Sequence, residues 1–161
     1  MRSFVRRLVH LAVVPAAFAG IVAVASPAQA AAPTTVQLQS DILAGTNAAR
    51  VHAGCAKLRL DAQLSTAARW HSTYMAQSGT FSHIGSHAST FVTRIRAQGY
   101  TAPLSENIAW GFRTGAAVVS AWMASPEHRA NMLNCKAKAV GLGAVYAANG
   151  NPYFTEDFGT R

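Results

Sequence analysis

Ala139-Val140-Gly141-Leu142-Gly143-Ala144-Val145-Tyr146-Ala147, then Asn149-Gly150, then Tyr153-Phe154-Thr155-Glu156-Asp157-Phe158: this closing stretch decides the fold class. The first run is glycine-rich and β-prone, Asn149-Gly150 is a hairpin-turn pair, and the second run reads as a returning strand. The segments before it are mainly helical in period. The hairpin is therefore expected to join one or two further strands in a mainly helical chain.

Working outward, Pro126 suits the first turn of a short helix running to about Leu133, and Gly115 to Ala124 is a strongly apolar helix with Val118, Val119 and Trp122. Leu104 to Gly111 is a compact apolar segment around a buried Glu106-Asn107 pair. Phe91 to Ala97 is a short helix closed by Gly99, and Thr80 to Ser89 is a polar loop. Asp61 is the expected N-cap of a helix in which Leu64, Ala67, Ala68, His71 and Met75 share a face and which Gly79 stops. His71 on that stripe reads as a core histidine with a satisfied hydrogen bond. An earlier helix begins at Val36, carries Leu38, Ile42 and Ala49 on one face, and ends near Ala53-Gly54. No internal repeat is present, so the chain reads as one α+β domain.

The start of the chain has a different purpose. Arg2, Arg6 and Arg7 precede an uncharged run from Leu11 to Ala25, and Ala28-Gln29-Ala30 supplies small residues for a signal peptidase. That order predicts a secretion signal over 1–30, a short leader over 31–36 and the domain over 37–161. The apolar run carries Pro15 and falls short of the roughly 20 residues of a membrane span, so no transmembrane segment is expected after cleavage.

Losing three arginines lowers the formal net charge from +8 to +5. The remaining charges are scattered singly, which gives no support to nucleic-acid binding. A monomer outside the cell is expected; composition leaves its extracellular ligand (lipid, peptide or cell-wall component) open. In an oxidising compartment Cys55 and Cys135 favour a structural disulfide over a metal pair or a catalytic thiol, because neither lies in a ligand-spaced motif. Such a bond would close a loop of about 80 residues, worth roughly 4 to 5 kcal/mol.

H-E-x-x-H, P-loop, G-x-S-x-G and Rossmann glycine patterns are all missing from the sequence. Ser125 and His128 are three apart, but no acid is identified to orient that histidine as in a serine hydrolase. The residues left for chemistry are His83, His87, Glu106, Glu127 and His128. Glu106 stands in an apolar context, and a carboxylate is seldom buried without a partner. Histidine is the natural one: one ring nitrogen serves the carboxylate and the other a metal or a proton. Two histidines with one or two carboxylates could hold an ion such as Zn²⁺ with a position open; alternatively, a His–Glu network only shapes the fold. His83 and His87 have chelating spacing for a helix, but Gly85-Ser86 between them argues for a loop.

Taken in order, these pieces form a pattern. Asn47-Ala48-Ala49-Arg50, Leu58-Arg59-Leu60-Asp61, Phe81-Ser82-His83, Arg94 with Gly99-Tyr100, Glu106-Asn107-Ile108-Ala109, Trp122 with Ser125-Pro126-Glu127-His128-Arg129, and Val140-Gly141-Leu142-Gly143 follow one another. The ordered set resembles the CAP superfamily (cysteine-rich secretory proteins, antigen 5 and pathogenesis-related proteins), in its bacterial SCP-like branch, over about Leu38 to Gly159. The resemblance implies an α-β-α sandwich with a central antiparallel sheet. It also implies a cleft holding two histidines and two acids, metal-binding in some members, and a single disulfide at Cys55 and Cys135.

His83 matches the first histidine of that set and Glu106 the first glutamate. Eukaryotic relatives have their second glutamate where this chain has Ser125, and their G-H-[FY]-T-Q histidine stretch is absent here. His128 is the expected substitute for the second histidine, and with His83 the expected metal ligand. Glu127 either replaces the missing acid or is a solvated charge favourable to a helix start.

The resemblance leaves function open between two readings. One is a secreted binding module whose His83–Glu106 cleft, with a divalent metal, engages a peptide, glycan or lipid; sterol and lipid binding occur in eukaryotic members. The other is a metal-assisted, peptidase-like extracellular hydrolase. Glycan cleavage by Glu106 with Glu127 ranks last.

Overall fold

The computed structural model describes residues 31–161; the secretion signal expected over 1–30 lies outside them. Five helices, α1 (Thr35–His52), α2 (Ala62–Ser78), α3 (Phe91–Ala97), α4 (Gly115–Ala124) and α5 (Pro126–Met132), accompany four strands, β1 (Arg59–Leu60), β2 (Pro103–Trp110), β3 (Ala139–Tyr146) and β4 (Pro152–Gly159). The strands form one sheet in the order β1-β3-β4-β2.

The closing hairpin is the centre of this sheet. β3 and β4 pair antiparallel across the turn at Gly150, and β2 pairs antiparallel with the other side of β4. The two-residue β1 adds in parallel to β3, the one departure from an all-antiparallel sheet. It follows from the route of the chain: β1 leads directly into α2, and Asp61 N–H donates to Val140 O as it does so.

Side chains alternate across a strand, and both faces of this sheet are covered. Val140, Leu142, Ala144, Phe154 and Phe158 pack with Leu38 and Ile42 of α1 and with Val118 and Trp122 of α4. On the other face Leu64 and Ala67 of α2 pack with Ile95, Tyr100 and Ala139, while Met75 packs with Ile108 and Tyr153. Helix α2 lies close on β3 because Gly141 and Gly143 face it. A Cβ on either would fall within about 2.4 Å of the Leu64 or Ala68 backbone. The α-β-α sandwich expected from the sequence is the observed architecture.

The helix boundaries follow their caps. Asp61 accepts from Gln63 N and Leu64 N at the start of α2, and Gly79, at φ 70°, closes it in the left-handed region. In α1 the buried stripe is Leu38, Ile42, Thr46 and Arg50, so an arginine lies where apolar periodicity points to Ala49. The Arg50 guanidinium donates to the carbonyls of Ala56, Met132, Asn134 and Ala137. It ties the loop after α1 to the loop after α5. The Cys55–Cys135 disulfide joins the same two loops.

Candidate functional site

Glu106 is the middle of the site. It sits in β2 directly opposite Asp157 of β4, on the face covered by α2 and α3, and is 5% exposed. His83, from the loop after α2, brings Nδ1 to 2.8 Å from Glu106 Oε1. Arg94 of α3 donates from Nη2 to Glu106 Oε2 at 2.5 Å. The same guanidinium donates from Nη1 to the carbonyls of His83 and Ser89. Arg94 therefore fixes both the carboxylate and the loop that carries the histidine.

With Nδ1 engaged by the carboxylate, His83 has Nε2 left over, and its side chain is 53% exposed. The geometry is that of a carboxylate-oriented imidazole, which sets the tautomer and makes the outer nitrogen an acceptor.

His71 and Asp157 complete the cluster behind Glu106. His71 is fully buried; its Nε2 lies 2.9 Å from Ser82 O and 4.0 Å from Glu106 Oε2. The carbonyl can only accept, so Nε2 carries the proton and Nδ1 is a bare acceptor. That nitrogen has no partner in the protein, so the expected satisfied core histidine is satisfied on one side only. Burial, opposed by Glu106 and reinforced by Arg94, holds the His71 imidazole below its ordinary value. Asp157 is pushed well above the usual carboxylate range, by burial first and then by the Glu106 charge beside it, against Arg94. Its surroundings thus favour the neutral, protonated form.

Among the described residues, the buried side-chain polar atoms without a partner are His71 Nδ1, Arg94 Nε, Ser105 Oγ and both Asp157 oxygens. Four of these five atoms belong to residues of this cluster; Ser105 Oγ, one position before Glu106 on β2, faces the other side of the sheet. Such concentration of unpaired groups at one place is the mark of a site.

His128 lies on α5, partly buried, with its carbonyl accepting from Asn107 Nδ2. Burial and then the charge of His83 hold its imidazole below the ordinary value, against Glu127. Glu127 is exposed in the first turn of α5 and makes no hydrogen bond or ion pair with Glu106 or His83, which suits a solvated charge at a helix start. His87 is exposed and has φ 53°.

The sequence points to His83 and Glu106 as partners, and the structure brings them together. It does not single out His71 or Asp157 as site members, and it offers Arg94 only as part of a motif. The available signal is numerical: six acids remain after residue 30, and three of them, Glu106, Glu156 and Asp157, stand in strand-like runs.

A metal such as Zn²⁺ finds a partial donor set here. Glu106 spends its oxygens on His83 and Arg94, which leaves His83 Nε2 and the His128 imidazole as donors. Among the described residues no three His, Cys, Asp or Glu side chains are grouped to hold an ion. Two imidazoles are one short of the three protein ligands of an open catalytic site and two short of a closed structural one.

The fold defines a CAP domain. The model of the Cysteine-rich secretory protein family (CAP) matches residues 43–158, and the chain belongs to that family. It is 31% identical over 122 residues to the uncharacterized membrane protein YlbC of Bacillus subtilis, covering 74% of this chain and 34% of that protein. It is 34% identical over 116 residues to the uncharacterized protein YkwD of the same organism, covering 71% and 45%. The chain therefore spans less than half the length of these curated relatives. Its structure resembles that of an extracellular protein containing an SCP domain from Bacillus anthracis, with TM-score 0.71 and 26% identity over 79% of this chain and 41% of the other. No described helix is long and apolar enough to cross a membrane.

Proposed function

We propose that the protein is secreted and that its CAP domain binds an extracellular ligand at the His83–Glu106 site. The observation that carries this reading is the Nδ1–Oε1 contact of 2.8 Å, with Glu106 pinned from behind by Arg94. A buried carboxylate, an arginine and a half-exposed histidine are costly to assemble. Their combined effect is to present one imidazole nitrogen to solvent in a set orientation.

A divalent ion such as Zn²⁺ is part of this reading. His83 Nε2 and His128 would hold it, and bound there it would supply a Lewis-acid contact for a ligand oxygen. The chain's own residues do the remainder: Glu106 orients His83, Arg94 orients Glu106, and burial keeps His128 neutral and able to donate its lone pair. The peptidase-like alternative has less support, because a general base must face its substrate and both Glu106 oxygens already have partners.

Titration calorimetry with Zn²⁺ on the purified protein tests the site. Saturable heat is expected, falling by at least about tenfold in affinity in His83→Ala. Absence of heat in the wild type would overturn the metal component. N-terminal sequencing of protein from the culture medium tests export; a chain beginning near Ala31 is the expected result, and retention of Met1 contradicts it.

A further inference from the structure

Beside the His83 site, the free edge of β2 opens into a cleft of about 440 Å³. Phe81 and Trp110 line it from one side of the strand; Phe112, Trp122, Ser125 and His128 line it from the other. Trp110 is 50% exposed and Phe81 46% exposed, their ring centroids 6.4 Å apart. Tyr153 stacks on Trp110 at 6.3 Å and 23° and holds its plane. Two large aromatic rings kept half in water next to a cluster of unpaired polar groups are the least explained surface of the molecule.

The lining dictates the chemistry of the occupant. It contains no Lys, Arg, Asp or Glu, so a charged ligand would find no counter-charge in a protein that is otherwise basic. The Ser125 hydroxyl makes no capping bond to α5, which leaves it free for a ligand, and His128 and His83 offer imidazole nitrogens nearby. The Trp122 indole N–H is already spent on Ile108 O at 3.0 Å. Flat apolar faces bordered by a few hydroxyl-seeking groups, with no charge, complement a sugar ring: C–H on its faces, O–H on its rim.

Two other occupants fit less well. An extended peptide would add to the edge of β2 through backbone bonds. On that edge the Ile108 carbonyl is taken by Trp122, and Asn131 takes the Glu106 carbonyl at 3.3 Å. An acyl chain needs a cavity that buries most of its surface, whereas Trp110 and Phe81 stand half exposed on this cleft. We propose that the cleft binds an uncharged oligosaccharide, with Phe81 and Trp110 stacking on sugar faces and Ser125, His128 and His83 bonding to hydroxyls. This rests on the ligand-binding reading of the His83 site and names its ligand class.

The test is a fluorescence titration of the protein carrying Trp70→Phe, which removes the other exposed indole, with cellotetraose and with N-acetylated chitotetraose. Saturation below about 10 mM by at least one of them is expected, a weak but specific affinity. Followed by calorimetry, because both variants lack the reporting indole, Trp110→Ala should weaken binding at least about tenfold and Trp110→Tyr should stay within about threefold of wild type. Unchanged unfolding midpoints in both variants exclude a folding defect as the cause. The proposal is overturned if neither sugar saturates, if Trp110→Ala binds as well as wild type, or if phosphatidylcholine vesicles or a tetra-alanine peptide give the Trp110-dependent signal instead. Zn²⁺ binding that persists when both sugars fail removes this inference alone; loss of both removes the ligand-binding reading with it.

Discussion

Glu156 with Asn107 and Asp157 with Glu106 occupy successive registers of the same strand pair, yet the two couples have opposite surroundings. The first faces α1. There Thr46 Oγ1 donates to Glu156 Oε1 at 2.8 Å, Asn107 Nδ2 lies 3.4 Å from Oε2, and Asn131 donates to Asn107 Oδ1. Arg50, nearby on α1, has its guanidinium held by four carbonyls. No side-chain atom of these residues is without a partner among those described. The second couple faces α2 and α3, and there Asp157 and its neighbours His71 and Arg94 keep unpaired atoms while His83 reaches into solvent. A buried polar group left unpaired costs about 1–3 kcal/mol. The closed knot therefore reads as structure, and the open one as function held at the expense of stability.

Breaking the closed side should cost most. Replacing both Cys55 and Cys135 with Ser frees the loops that Arg50 also ties and should lower unfolding free energy by about 4 kcal/mol in urea melts. Arg50→Ala leaves four carbonyls without their donor and should cost about 3 kcal/mol by the same measurement.

Acidity sharpens the contrast next. Burial pushes Glu156 up to about 7, against its bonds to Thr46 and Asn107 and the charge of Arg50. The native state then holds a proton that the unfolded chain has already released. Stability should fall as pH rises from about 4.5 to about 7, by on the order of 3 kcal/mol from this group, and level off above. Asp157, raised as well, adds a decline of the same sign. Glu156→Gln should flatten the slope across that window; a slope unchanged in the variant would show that the proton is held elsewhere.

The smallest effect on stability is expected where function is strongest. His83→Ala removes a half-exposed ring and should shift stability by no more than about 0.5 kcal/mol, while Zn²⁺ binding is lost. A large destabilisation by His83→Ala would merge the two knots into one structural network and end the distinction.

Much of this molecule is legible in its amino-acid order. The caps Asp61 and Gly79, the helices Phe91–Ala97 and Gly115–Ala124, and the Asn149-Gly150 hairpin are local features, and local rules locate them. That Glu106 needs a partner, with histidine the natural one, is legible from the oddity of an acid in an apolar run; that the histidine is His83 is what the family resemblance implies. The roles of Arg50, His71 and Asp157 are not. Their burial depends on partners 82, 11 and 51 residues away in the chain, Met132, Ser82 and Glu106, and side-chain period cannot reveal a distant carbonyl or carboxylate.

By itself the sequence determined the element types, the α+β class, the cysteine pair and the order of motifs that marks the family, because each depends on neighbours within a few residues or on composition. Only the tertiary structure decided that Arg94 and Asp157 share Glu106, that His71 keeps a bare nitrogen, and that Phe81 and Trp110 meet across the β2 edge. Those facts depend on register and on helix packing against both faces of the sheet. A change of one residue in strand pairing would send Glu106 to the α1 side and Asn107 to the α2 side, dissolving the site without altering a single local preference.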